Sequence, residues 1–131
     1  MTSPPPELQQ VASPSRAYRM AAGLLGIGTL HFVAPKPFDD IIPAELPGSP
    51  RFYTYASGVA ELGVAGLLLA PRTRRFGALV AAALFVAVFP GNVNMVRLWW
   101  DKPLPMRLVA IARLPLQIPM IVQAVKVYRE S

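Results

Sequence analysis

Four long apolar runs alternate along the chain with short polar or proline-rich segments. Each run is close to the ~20 residues that an α-helix needs to cross the hydrocarbon core of a bilayer. Short connections between successive spans make neighbouring helices antiparallel. The pattern therefore predicts an all-α fold, an integral membrane antiparallel four-helix bundle, with spans at residues 17–34, 52–70, 76–100 and 104–128.

The segments outside the runs have compositions of their own. Residues 1–15 are rich in proline and serine and have no apolar face, which predicts a disordered cytoplasmic tail ahead of a transmembrane domain at 16–128. Residues 35–50 carry five prolines, so they predict a segment that does not span but lies at the membrane surface.

Prolines also fall inside two of the predicted spans. Pro90-Gly91 predicts a kink or one unwound turn in the third span, because proline lacks the amide hydrogen that a helical hydrogen bond needs. Pro115 and Pro119 predict interruptions of the fourth span for the same reason.

Composition and charge agree with a membrane protein. Only 15% of the residues are charged and 53% are hydrophobic, whereas soluble domains usually have roughly a quarter charged residues. The net charge of +6 comes from basic residues at the ends of the apolar runs, with no basic stripe and interleaved aromatics, so no nucleic-acid partner is expected. The turn containing Arg72, Arg74 and Arg75 places both termini in the cytoplasm by the positive-inside rule.

The chemistry open to the chain is narrow. It has no cysteine and a single histidine, which excludes disulfides, thiolate metal sites and a multi-histidine metal site. No catalytic constellation is visible, which argues against an enzyme, and no cofactor is expected within the chain itself. The predicted partner is the lipid bilayer.

Two opposite charges lie inside the predicted spans. Glu61 and Arg113 each lie nine residues past the start of a span, hence ~14 Å deep on helices two and four. An isolated charge near the middle of a bilayer costs ~3 kcal/mol or more, so the matched depths predict an ion pair. The inner half of the bundle is predicted to be almost purely apolar. The outer half contains further polar residues beside Glu61 and Arg113, namely His31, Ser57, Asn92, Asn94 and Gln117.

Three interpretations of this polar cluster stay open. It can hold helices together through polar contacts, it can form an outward-facing pocket for a small molecule such as a quinone head group, or it can belong to a proton or ion path. The third is the weakest, since the inner half offers no acid or histidine to continue a relay. His31 is expected to bond to the first loop, and Asn92 alternatively to bond carbonyls freed at the Pro90 kink.

The remaining signals favour structural roles. Four aromatic residues are expected to form an interfacial belt and not a stacking site: Tyr53, Tyr55, Trp99 and Trp100. Two glycine pairs spaced by three are expected to mediate close helix contact: Gly23 with Gly26, and Gly63 with Gly66.

Several motifs resemble those of the DoxX-like family of small bacterial integral membrane proteins. They are LHFVAP at the end of the first run, S-G-x-x-E in the second, F-P-x-N in the third and R-L-P-L-Q in the fourth. In this chain they fall on His31, Phe32, Pro35, Ser57, Gly58, Glu61, Phe89, Pro90, Asn92 and Arg113 to Gln117.

The resemblance implies a multi-pass protein of the bacterial inner membrane. It also implies a non-catalytic accessory role beside a membrane or peripheral redox enzyme, with quinone or another small amphiphile as the bound molecule. The alternatives are a small-molecule or proton-coupled transporter and a structural scaffold, and homo-oligomerisation stays open.

Overall fold

The computed structural model describes residues 14–131 and is all-helical over that range. The predicted tail at 1–15 lies outside the described residues except for its last two, and the first helix begins at Ser15. The helices are α1 Ser15–Val33, α2 Lys36–Asp39, α3 Pro50–Leu69, α4 Arg74–Ala87, α5 Phe89–Leu98 and α6 Leu104–Glu130. α1, α3 and α6 coincide to within a few residues with the first, second and fourth apolar runs, and α4 with α5 occupies the third.

Three helical stretches are long and apolar enough to cross a membrane: Pro50–Leu69, Arg74–Leu98 and Leu104–Glu130. The outer faces of these helices carry large apolar side chains that no other part of the described chain covers. Among them are Val59, Leu79 and Ile118, each more than half exposed. Apolar surface of this extent is typical of a surface that contacts lipid.

Proline affects the third and fourth spans differently. The third span breaks at Val88, and Pro90 occupies the first turn of α5, where a missing amide hydrogen costs least. The break predicted at Pro90 is therefore confirmed. The predicted interruption of the fourth span is wrong, because α6 continues through Pro115 and Pro119. Membrane helices tolerate internal proline where neighbouring groups support the freed backbone.

Two antiparallel helix pairs make up the packing. Gly58 of α3 packs against His31 near the end of α1, and Gly28, one turn earlier, packs against Leu62. Gln117 of α6 likewise meets Phe85 near the end of α4. α3 joins the pairs by packing on α4, whereas α1 and α6 touch only sparsely.

The buried residues separate into two halves. We call the end with the turn at 70–73 and the start of α1 the turn end, and the end with the connections at 34–49 and 99–103 the loop end. The turn end contains the apolar core, which is rich in alanine: Ala17, Ala21, Leu24, Val64, Ala65, Leu68, Ala78, Ala81, Phe85, Ala124 and Val127. Small side chains let helices approach closely, which suits a core formed without much hydrophobic driving force.

Candidate functional site

Buried polar side chains concentrate toward the loop end. Six of the described polar residues are at most 8% exposed: His31, Thr54, Glu61, Asn92, Asn94 and Gln117. Five of these belong to the predicted cluster, and the other two predicted members, Ser57 and Arg113, are half-buried. Each buried polar group costs free energy unless it is hydrogen-bonded, so their grouping calls for a common reason.

A cavity of about 690 Å³ lies among these residues. We call it the loop-end cavity. Its walls are mainly apolar, with polar and aromatic groups contributed by α1, α3, α5 and α6; these are His31, Tyr53, Thr54, Ser57, Glu61, Asn92, Trp99 and Arg113. Five of the seven predicted site residues therefore line one cavity, and Asn94 and Gln117 lie outside its lining. A cavity of this size and composition is typical of small-molecule sites, which run to about 300–1,000 Å³.

The connection between α1 and α3 covers this cavity. Phe38 of α2 stacks on the ring of His31, with 3.9 Å between ring centroids. The Asn94 side chain donates a 3.0 Å hydrogen bond to the carbonyl oxygen of Ile41, and Tyr53 donates one to the carbonyl oxygen of Pro47. We call residues 36–49 the lid.

Asp39 ties the lid to the first turns of α3. Thr54 Oγ1 donates to Asp39 Oδ1 at 2.6 Å, and Arg51 Nε donates to Asp39 Oδ2 at 2.8 Å. The hydrogen bond from Thr54, followed by the bond and charge of Arg51, lowers the pKa of Asp39 below its ordinary value of 3.8. The carboxylate therefore stays ionised and holds the lid at neutral pH.

His31 and Glu61 face each other across the α1–α3 contact. Nδ1 of His31 lies 2.7 Å from the carbonyl oxygen of Ile27, and since a carbonyl only accepts, Nδ1 carries the donated hydrogen. Glu61 Oε2 lies 3.6 Å from the same nitrogen and has no hydrogen-bond partner among the described residues. His31 therefore contacts the lid through ring stacking, and the predicted hydrogen bond to the first loop is wrong.

The predicted ion pair between Glu61 and Arg113 is also wrong. Both side chains line the same cavity, as their matched depths predict, but among the described residues the nitrogen within 4 Å of the Glu61 carboxyl group is Nδ1 of His31, and no nitrogen of Arg113 comes that close. Arg113 Nη1 instead donates to Gln117 Oε1 at 2.8 Å. Equal depth does not fix the conformation of a long side chain, and the Arg113 side chain bonds to the next turn of its own helix.

Gln117 also supports the break in the third span. Its Nε2 donates a 2.6 Å hydrogen bond to the carbonyl oxygen of Phe85, in the last turn of α4. Carbonyls in the last turn of a helix have no intrahelical partner, so a side chain of α6 provides it. The alternative role proposed for Asn92 at this break is therefore wrong, since Asn92 Nδ2 is buried without a hydrogen-bond partner in the described chain.

The glycines in close contact are not the predicted pairs. A Cβ atom on Gly23, Gly26, Gly63 or Gly66 would meet nothing within 4 Å. On Gly58, by contrast, it would lie 2.7 Å from the Phe32 ring and 2.8 Å from Cβ of His31. Gly58 thus lets α1 and α3 approach at the level of the site.

A second cavity of about 630 Å³ lies toward the turn end, between α1 and the helices α4 and α6. We call it the turn-end cavity. Both cavities share a small set of lining residues: Ile27, Glu61, Leu84, Val88 and Arg113. Arg16, Arg19 and Gln123 line its other end, so the turn-end half is less uniformly apolar than predicted.

Some contacts and cavity-lining residues were not expected from the sequence. Nothing in the sequence spacing of Thr54 indicates that it binds Asp39. Tyr53 and Trp99 line the loop-end cavity, whereas Tyr55 and Trp100 lie at the surface. Arg16 and Arg19 line the turn-end cavity together with Gly23 and Ile27, and the i, i+3, i+7, i+11 spacing of these four residues marks one face of α1.

The chain belongs to the family described as Domain of unknown function (DUF8561), whose family model matches residues 20–128. No curated protein and no solved structure matches the chain.

Proposed function

We propose that the protein is a four-span membrane protein that binds the head group of a small amphiphile, of the quinone class, in the loop-end cavity. In addition to the three long apolar stretches, α1 is counted as a span, because it packs antiparallel on α3 along most of its length. The basic turn at the opposite end supports a loop end that faces outward, with both termini in the cytoplasm. The resemblance of its motifs to those of DoxX-like proteins supports a bacterial inner membrane and an accessory role beside a redox enzyme.

The observation that carries the proposal is a pair of orphaned polar atoms on one cavity. Asn92 Nδ2 is a buried donor and Glu61 Oε2 a buried acceptor, and neither has a hydrogen-bond partner among the described residues. Both residues line the loop-end cavity, and the last torsion of each side chain is soft, so a small rotation turns either atom toward a ligand. An unmade buried hydrogen bond costs about 1–3 kcal/mol, which a bound head group recovers.

The chemistry of the two atoms narrows the class of ligand. A carbonyl on the ligand accepts from Asn92, and a hydroxyl donates to Glu61. A head group that exists as both quinone and quinol offers both functions, and Trp99 and Tyr53 provide flat apolar surface for a ring. With no cysteine in the chain, electron transfer to or from such a molecule belongs to a partner enzyme.

Co-purification tests the proposal. Protein purified from membranes in mild detergent is extracted with apolar solvent, and quinones in the extract are identified by mass spectrometry. Ala60 lines the loop-end cavity, so Ala60→Leu fills part of it, whereas Ala83→Leu places the same side chain on an exposed position outside both cavities. Quinone retained by the native chain and Ala83→Leu but lost from Ala60→Leu supports the proposal. Extracts without quinone, from protein that also fails to bind added decylubiquinone, overturn it.

A further inference from the structure

The turn-end cavity has a basic mouth and a mainly apolar middle section. Arg16 and Arg19 stand at its mouth, at the start of α1, and Met20, Leu24 and Leu84 line its walls. From Arg16 to Ile27 the cavity follows α1 for about 16 Å, which is about half the ~30 Å hydrocarbon core of a bilayer. The cavity thus has the length of one lipid leaflet.

The two arginines at the mouth differ in how they are held. Arg16 Nε donates to Glu130 Oε1 at 3.1 Å, and its Nη1 donates to Gln123, so its guanidinium group is fixed between α1 and α6. Arg19 is exposed and makes no ion pair or hydrogen bond with the other described residues. The mouth therefore carries one uncompensated positive charge next to a neutralised one.

The interior is open because the helices on either side do not close over it. α1 and α6 touch only sparsely, and Gly23, which lines the cavity, has nothing within 4 Å of the position of a Cβ atom. The groove is basic at its mouth and apolar in its middle, and it reaches Glu61 and Arg113 only at its inner end, where it meets the loop-end cavity. A groove of this kind complements a molecule with one anionic head and one long hydrocarbon chain.

We infer that the turn-end cavity binds an anionic phospholipid, with its phosphate at Arg19 and Arg16 and one acyl chain along α1 toward Ile27. Arginine at the level of the head groups pairs with phosphate oxygens through its planar fork of donors. The second acyl chain stays in the bilayer beside α1. This site goes beyond the proposed function, since it uses the other cavity and a different class of ligand.

Lipid retention tests the inference. The protein is reconstituted in nanodiscs with equal amounts of phosphatidylglycerol and phosphatidylcholine of identical chains, then extracted into detergent, and the lipids that remain bound are counted by native mass spectrometry. We expect phosphatidylglycerol to be retained over phosphatidylcholine. Arg19→Gln is expected to lower that preference about fivefold, the effect of one basic residue beside anionic lipid. Arg72→Gln, an exposed arginine outside both cavities, is expected to leave it unchanged.

A filling variant tests the acyl-chain part separately. Gly23→Leu and Gly26→Leu both add the same side chain to open positions of α1, but only Gly23 lines the cavity. We expect Gly23→Leu to lose bound lipid and Gly26→Leu to keep it. Equal retention of the two lipids by the native chain, or equal retention by the two glycine variants, overturns the inference. Because Gly23 lies outside the loop-end cavity, quinone binding in Gly23→Leu shows which of the two proposals fails.

Discussion

Glu61 Oε2 lies 3.6 Å from Nδ1 of His31, yet the hydrogen on that nitrogen is directed to the carbonyl oxygen of Ile27. The carboxylate is thus held beside a polar ring without receiving a hydrogen bond from it. This geometry is costly in a protein that only needs to join two helices, because a buried acceptor without a donor loses its hydrogen bonds to water and gains none from the protein. It suits a site that keeps an acceptor for a ligand.

Asn92 is the residue at which stability and binding should have opposite signs. Asn92→Leu removes a buried donor that has no partner in the described chain. We therefore expect the free energy of unfolding of the ligand-free protein to rise by about 1–3 kcal/mol and its unfolding temperature to rise with it. The same change should weaken binding of decylubiquinone about tenfold, because one hydrogen bond is lost. Thermal unfolding in detergent and a binding titration measure the two effects. A variant that loses stability in the ligand-free state contradicts this interpretation of Asn92.

Gly58 should be intolerant of any side chain. Gly58→Ala places a methyl group 2.7–2.8 Å from Phe32 and His31, so α1 and α3 must separate, at a cost of about 1–3 kcal/mol. Gly63→Ala, on the same helix with open space around its Cβ position, is the matched control and should be neutral or slightly stabilising. Unfolding temperatures in detergent compare them. Equal stability of the two variants would show that the close approach of α1 and α3 is not needed.

Gln117 should stabilise the break between α4 and α5. Gln117→Leu leaves the Phe85 carbonyl without its side-chain donor, and the expected loss is about 1–3 kcal/mol of unfolding free energy. Leu116→Ala, at a half-exposed neighbouring position, controls for general effects on α6. The account of the break fails if Gln117→Leu unfolds at the same temperature as the native chain.

Asp39 should hold the lid over a defined range of pH. Its pKa lies below 3.8, so the attachment it provides is complete above that value and is lost as the pH falls through the lower, folded-state pKa. Hydrogen exchange of residues 36–49, corrected for the intrinsic dependence on pH, should therefore stay slow at neutral pH and rise only in strong acid. Asp39→Asn should speed exchange already at pH 7, because the charge that binds Arg51 is gone.

The neighbouring carboxylate provides the control for Asp39. Asp40 is exposed, and its side chain has no hydrogen bond or ion pair with other described residues. Asp40→Asn should leave exchange of the lid unchanged. Similar acceleration in both variants would mean that the acidic pair acts through general charge and not through the bonds of Asp39.

The helices could be predicted from the sequence, because their boundaries depend on local signals. Apolar runs, the prolines and the basic turn define them to within a few residues, and the i, i+4, i+7 spacing of Thr54, Gly58 and Glu61 identifies the buried face of α3. The concentration of buried polar groups toward one end could also be predicted, since distance along a helix converts directly to depth.

The contacts between helices could not be predicted, because they depend on rotation and on the course of the lid. Glu61 and Arg113 share a depth and line the same cavity, but the Arg113 side chain bonds to Gln117 of its own helix. Gly23 and Gly63 belong to glycine pairs with the spacing typical of helix contacts, but no atom lies within 4 Å of their Cβ positions. Gly58, which does lie in a close contact, is not part of such a pair. The stacking of Phe38 on His31 depends on where residues 36–49 fold back, which no periodicity records.

The most direct test of the central proposal uses Trp99 as a reporter inside the loop-end cavity. The chain has two tryptophans, so Trp100→Phe leaves Trp99 alone, and Trp99→Phe leaves the half-exposed Trp100 as the control. Quinones quench tryptophan fluorescence on contact. Titration with decylubiquinone in detergent should quench Trp99 with saturation, and Ala60→Leu but not Ala83→Leu should abolish the saturable part. Quenching of Trp99 that rises linearly and matches that of Trp100 would contradict the proposal.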